Sequence, residues 1–230
     1  MTTSLWRAAT ATLISAATVT ALSACAGTID HGAALEGLLA RNPKPEYWHD
    51  VLQLARNQKG LNDEQVMDIF RLRLAVGDVK THADYQEIVQ QALIAGYPVE
   101  AKAIIDKGMT AKIVQKDERI GRLITKIESD RVAAEASTKT LEGKAGSDPN
   151  ASVKLGLIYW TNGKGKEAED AIRNGIKAKV ADPEAAKVAL GHALLAEGKK
   201  PEAIAAFDSV ARNSKEAMIA RLWSIYAKRA

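Results

Sequence analysis

The chain has one cysteine, Cys25, among 230 residues, so no disulfide can form within it. A structural zinc site of the thiolate kind is excluded with it. Its four histidines, His31, His49, His82 and His192, are far apart, and none stands in an HExxH frame. No GxSxG elbow, dinucleotide glycine pattern or EF-hand loop occurs. The run Gly163-Lys164-Gly165-Lys166 lacks the earlier glycine and the Ser/Thr of a phosphate loop and follows a helical pattern, so it reads as a solvated turn. Enzymatic chemistry has no constellation to stand on, and no cofactor or metal is expected. Aromatics make up only 5% of the chain. Sustained apolar/polar alternation rich in Val, Ile and Thr is missing, which argues against sheet. Neither sign of charge dominates: the net charge is +4, and without Arg7 of the leader 31 bases face 28 acids. These are interspersed, with no basic face and no recognition motif, so nucleic acid is not an expected partner.

What the chain does have is alanine, short polar residues and 26% charged residues, with glycine and proline sparse enough to punctuate helices. An all-α fold follows. Residues 1–24 have the order of a secretory signal. Arg7 lies near the start, an uncharged run of fifteen residues extends from Ala8 to Leu22, and Ser23 and Ala24 are small. That run falls short of the roughly twenty residues a membrane span needs.

Leu22-Ser23-Ala24-Cys25 resembles the lipobox of bacterial lipoproteins. The resemblance implies lipid attachment at Cys25, cleavage before it, and a membrane partner through the anchor. With Ala26 next rather than aspartate, it implies the periplasmic face of the outer membrane. A second reading stays open: cleavage after Ala24-Cys25-Ala26 would discard the cysteine and release a soluble periplasmic protein. Residues 25–45 read as a tether with one short helix near Ala33 to Arg41, stopped by Asn42-Pro43-Lys44-Pro45.

The body repeats itself. Gly96, Gly163 and Gly198 are each followed four and five residues on by Glu-Ala (Glu100-Ala101, Glu167-Ala168, Glu202-Ala203), then by Ile105, Ile172 or Phe207. The second and third copies also share Leu155-Gly156 with Leu190-Gly191 and the N-cap pairs Asp148-Pro149 and Asp182-Pro183. The glycines at 163 and 198 stop a first helix, those at 156 and 191 admit a close neighbour, and Ile172 and Phe207 fill the gap. This spacing resembles the tetratricopeptide repeat, an antiparallel helix-pair solenoid.

On that basis residues 148–213 hold two tandem repeats, and Thr81 to Gly108 forms one more within an N-terminal repeat region, 46–111. There Asn62 and Gln65 make a capping-box signal and Gly77 ends the helix. The strings Tyr47-Trp48 and Asp68 to Gly77, with Asp84-Tyr85, resemble a family of exported bacterial tetratricopeptide proteins, which implies fold and class and names no ligand. Residues 112–147 read as a long helix from Lys112 to Leu141 and a loop. Ile113, Ile120, Ile127, Ala134 and Leu141 recur every seven residues, but the second half offers little to pack. It either continues the solenoid or connects two helical subdomains. Residues 214–230 form a solvating end helix capped by Ser214.

The resemblance implies a concave groove lined by the first helix of each unit. That places there Gln86, Gln90 and Leu93, then Asn150, Val153, Leu157 and Trp160, then Val188, His192 and Leu195. The groove is expected to be apolar and to take a peptide or helix of a protein partner by side-chain burial. Trp160 is either an anchor for the partner or a packing residue under the next repeat. A structural spacer in the envelope is the competing reading.

Overall fold

The computed structural model describes residues 31–42 and 44–229; the signal segment and Cys25 lie outside the described residues. The described residues form eleven helices in adjacent antiparallel pairs, with no strand among them. They are α1 (His31–Arg41), α2 (Pro45–Arg56), α3 (Asp63–Ala75), α4 (His82–Ile94), α5 (Pro98–Thr110), α6 (Glu118–Lys144), α7 (Pro149–Thr161), α8 (Gly165–Lys177), α9 (Pro183–Ala196), α10 (Lys200–Asp208) and α11 (Ala217–Ala227). No described helix is long and apolar enough to cross a membrane.

The tandem pairs α7–α8 and α9–α10 assemble as their spacing predicts. Asp148 accepts hydrogen bonds from the Asn150 and Ala151 amides, and Asp182 from Ala185, each with proline as the first helical residue. The first helices stop at Gly163 and Gly198, where φ is +76° and +74°, a region that costs other residues strain. At Gly156 a Cβ would run into Ile172, and at Gly191 into Phe207, so each pair closes backbone against side chain. Ala168, Ala203, Ile172 and Phe207 are buried. In the earlier pair α4–α5, Ala101 and Ile105 hold the same places and are also buried.

Three expectations shift. The long helix begins at Glu118, not Lys112: Lys112 takes φ +59°, the amides of Ile113 and Val114 bond back to the Gly108 carbonyl, and Asp117 caps α6 through the Ile120 amide. No glycine or proline flags that turn. Ile120 and Ile127 are buried, whereas Val132 is 71% exposed; the second half of α6 keeps only a half-buried edge, with Ala134, Thr138 and Leu141, and a hydrogen bond from the Tyr159 hydroxyl to Glu142 (2.9 Å). Ser214 does not cap the last helix. Its hydroxyl is buried without a partner, and α11 starts at Ala217, after a turn where Gln65 donates to the Lys215 carbonyl (3.4 Å) and the Glu216 carboxylate (3.2 Å). Nor is α11 a solvating end: Ile219, Leu222 and Trp223 are buried, because the N-terminal helices cover them.

That cover gives the molecule its shape. Leu39 of α1, Trp48, Val51 and Leu52 of α2, and Ile69 and Leu72 of α3 share one core with Val188 and Leu194 of α9, Phe207 of α10, and Ile219, Leu222 and Trp223 of α11. The two ends of the described chain meet. Arg221 pairs with Glu36 at 2.8 Å, and the Gln58 amide reaches the Met218 sulfur at 3.1 Å. The solenoid is closed on itself, with α3 on the inside.

Candidate functional site

A helix on the inside of a curved array meets side chains from several repeats, and α3 is buried well beyond one face. Gln65, Asp68, Arg71 and Arg73 are each only 5% exposed. Buried charges persist only when paired and hydrogen-bonded. Arg71 grips Glu100 of α5 with Nε and Nη2 (2.9 and 2.8 Å), while Nη1 donates to Glu64 (2.6 Å) and Asp68 (2.7 Å). Its guanidinium lies 4.6 Å from the Trp160 ring centroid and 4.9 Å from that of Tyr97, whose hydroxyl donates to Glu64 at 2.5 Å. A planar, forked cation suits this place, since a lysine could neither chelate Glu100 nor stack. Arg73 ties the other end of α3 to Asp78 and Asp84, at 3.0 and 2.9 Å.

Beyond Trp160 the stack continues into α9. The His192 ring lies parallel to Trp160 (centroids 4.6 Å apart, planes 4° apart) and meets Phe207 and Trp223 edge-on. His192 is 2% exposed. Its Nε2 lies 3.2 Å from Asp68 Oδ1, within ion-pair range but out of line for a hydrogen bond, and neither ring nitrogen has a hydrogen-bond partner.

These groups shape one another's ionisation. Burial is the largest influence on Glu64 and pushes its carboxyl up; Arg71 pulls it down, Asp68 pushes it further up, and the net shift is upward. Burial is the largest influence on Asp68 as well and pushes it up, but His192 beside it and the charge and hydrogen bond of Arg71 outweigh it, leaving Asp68 below the usual range. Tyr97 is pushed well up by burial and by the Glu64 charge beside it. Glu216 is raised by burial and by Asp182.

Between α3, the α4–α5 turn, α7, α9 and the start of α11 lies an open cleft of about 470 Å³. Asn150, Val153, Leu157, Val188 and His192 line it together. The other predicted groove residues are elsewhere. Gln86 is half-buried with its amide nitrogen unpartnered, Gln90 is exposed on α4, and Leu195 packs against the core shared by the chain ends. Leu93 lines a second cleft of about 620 Å³ between the α4–α5 turn, the second half of α6, and α7. Trp160 is taken up between Arg71 and His192, which is the packing alternative. Asn150 also braces the repeats, accepting from the Ala181 amide at 3.0 Å.

Apolar side chains, among them Val153, Leu157, Val188 and Ile219, make up most of the cleft wall, and five carboxylates stand among them, those of Asp63, Glu64, Asp68, Asp182 and Glu216. Arg71 pairs with Glu64 and Asp68, and Lys215 with Asp182 and Glu216. These carboxylates come from α3, from the residue before α9 and from the residue before α11, and a reading confined to the first helices of the repeats does not reach these positions. Sequence reasoning also missed Arg71 and Glu100. The available signal was the spacing of Glu64, Asp68 and Arg71, which puts two acids and a base on one helical face amid Ile69, Phe70 and Leu72. Among the described residues no group of His, Cys, Asp and Glu is placed to hold a metal ion.

Residues 153–217 and 188–227 match the tetratricopeptide repeat family. No curated protein and no solved structure matches the chain. The matched segments cover α7 to α11, and with the helix pairs upstream they make this a tetratricopeptide-like helical repeat protein. Folds of this kind typically serve as non-catalytic scaffolds for protein–protein contact.

Proposed function

We propose that this chain is an adaptor of the bacterial cell envelope that holds a peptide or helix of a partner protein in the cleft between α3, α7 and α9. The observation that carries the reading is the cleft itself, which opens at the centre of a closed array and takes Val153, Leu157 and Val188 from successive repeats beside hydrogen-bonding groups of α3. Apolar surface with a few placed polar groups is what peptide recognition requires. Export and lipid attachment at Cys25 complete the proposal and rest on Arg7, the uncharged run and Leu22-Ser23-Ala24-Cys25.

A photoreactive residue at Lys154, an exposed cleft position, tests the reading in intact cells. The adaptor predicts crosslinks to one defined protein, lost when Leu157→Arg blocks the cleft. Crosslinks to glycan alone, or none, favour the spacer. Growth on labelled palmitate checks the anchor: label that survives Cys25→Ser, or is missing from the wild type, rules it out.

A further inference from the structure

The surplus positive charge of this chain is gathered at one end. Over residues 31–44 and 217–230, which hold α1, the turn after it and everything from α11 onward, five bases face one acid. Elsewhere in residues 25–230, 26 bases face 27 acids. The fold brings the two stretches together. Arg221 meets Glu36 at 2.8 Å and Arg229 donates to the Ala40 carbonyl, so α1 runs beside α11 and their basic ends meet. Arg41, Lys44, Lys228 and Arg229 are all exposed there. Of the neighbouring acids, Glu36 is taken up by Arg221 and Asp208 by Lys228 (3.1 Å), and Glu46 follows on the first turn of α2. Leu38, one turn before Arg41 on the same face of α1, is 41% exposed. Bases set around an exposed apolar side chain suit a lipid surface.

A separate argument comes from the length of chain leading in. Helix α1 begins six residues after Cys25, a span of at most about 20 Å, and is itself about 16 Å long. A lipid on Cys25 therefore keeps all of α1 near the bilayer. We infer that this edge, with Arg41, Lys44, Lys228 and Arg229 around Leu38, docks the body of the protein on anionic phospholipid headgroups. The inference rests on the lipid attachment proposed for Cys25. The acyl chains supply the hold, and the basic edge fixes which side of the body faces the bilayer. Its attraction fades within about 8 Å at physiological salt, so it acts only on a body already tethered close.

The test uses the full lipid-modified chain in vesicles of phosphatidylcholine, alone or with about one third phosphatidylglycerol. With Cys25 acylated, Ala40→Cys offers a single thiol for a fluorescent dye at the edge, and Val132→Cys, exposed on α6, serves as the reference. Acrylamide, a neutral quencher, should reach the dye at position 40 about threefold less well on the anionic vesicles. That protection should vanish in about 0.5 M salt, and also when Arg41→Gln, Lys44→Gln and Lys228→Gln are combined. All three side chains are exposed, so the variant keeps its fold, which circular dichroism checks. The dye at position 132 should be quenched alike on both vesicles. Equal quenching at 40 on the two vesicles, protection that survives the triple variant, or matching protection at 132 overturns the docked edge while the anchor stands. A chain that takes up no labelled palmitate removes the anchor, and this inference with it.

Discussion

The tandem pairs α7–α10 and the seam that α3 makes with them solve the same problem in opposite ways. Between paired helices the close approach is mainly apolar: Gly156 receives Ile172, and Gly191 receives Phe207, with no charged side chain at either contact. At the seam the contacts are Arg71 on three carboxylates, Trp160 between Arg71 and His192, and Gln65 on the turn before α11. Apolar packing is tolerant of exchange at constant volume, whereas a buried charge network depends on every member being present. One construction repeats along the chain. The other joins two distant parts in a single register.

The largest effect that sharpens this contrast is expected from Arg71→Ala. It leaves Glu64, Asp68 and Glu100 without their shared cation and removes the platform on Trp160, so urea unfolding should show a loss of about 3–5 kcal/mol. Replacing Arg71, Asp68, Glu64 and Glu100 together by apolar residues of similar size should recover much of that loss, because the cation and its three carboxylates are then removed as a unit. Gly191→Val, which drives a side chain into Phe207, should cost about 3 kcal/mol in the same assay. An equal cost for the fourfold replacement and Arg71→Ala would break the contrast.

Smaller effects follow. Asp148→Ala removes the cap of α7 and should cost about 1 kcal/mol, read as a lower thermal midpoint. Glu169 is held at about 2 by hydrogen bonds from Lys199 (2.6 Å) and Arg173 (2.7 Å). Its folded value lies below the ordinary 4.5, so its contribution is present above pH 4.5 and lost as pH falls through about 2. Glu169→Gln should therefore flatten the stability profile across that window and cost at most about 1 kcal/mol at neutral pH. Val132→Ala, on the solvated half of α6, should stay within about 0.5 kcal/mol of wild type.

The same contrast explains what could be read in advance. Asp148-Pro149, Gly163, Gly191 and Phe207 act locally or on the adjoining helix, so each leaves a signature at fixed spacing and the repeats were legible. The capping box of Asn62 and Gln65 was legible too, and both of its hydrogen bonds form, at 2.9 and 3.0 Å. The closure was not, because its contacts join residues some 150 apart, as with Gln65 and Glu216, and no periodicity records such a pairing. Five of the ten predicted groove residues share the cleft. Its carboxylates were hidden because they stand on α3 and on the turns preceding α9 and α11. Ser214 looked like a cap in isolation, but the helix begins only at Ala217, after a turn held by Gln65 from α3.

The closed array is tested most directly by a proximity measurement. In a Cys25→Ser background, Gln58→Cys and Met218→Cys place thiols on two side chains that touch in the structure. A short bifunctional thiol reagent should join them within one molecule under native conditions, and adding Arg71→Ala should reduce the yield. A monomer that stays unlinked, with only intermolecular products, would show an open solenoid and contradict the account.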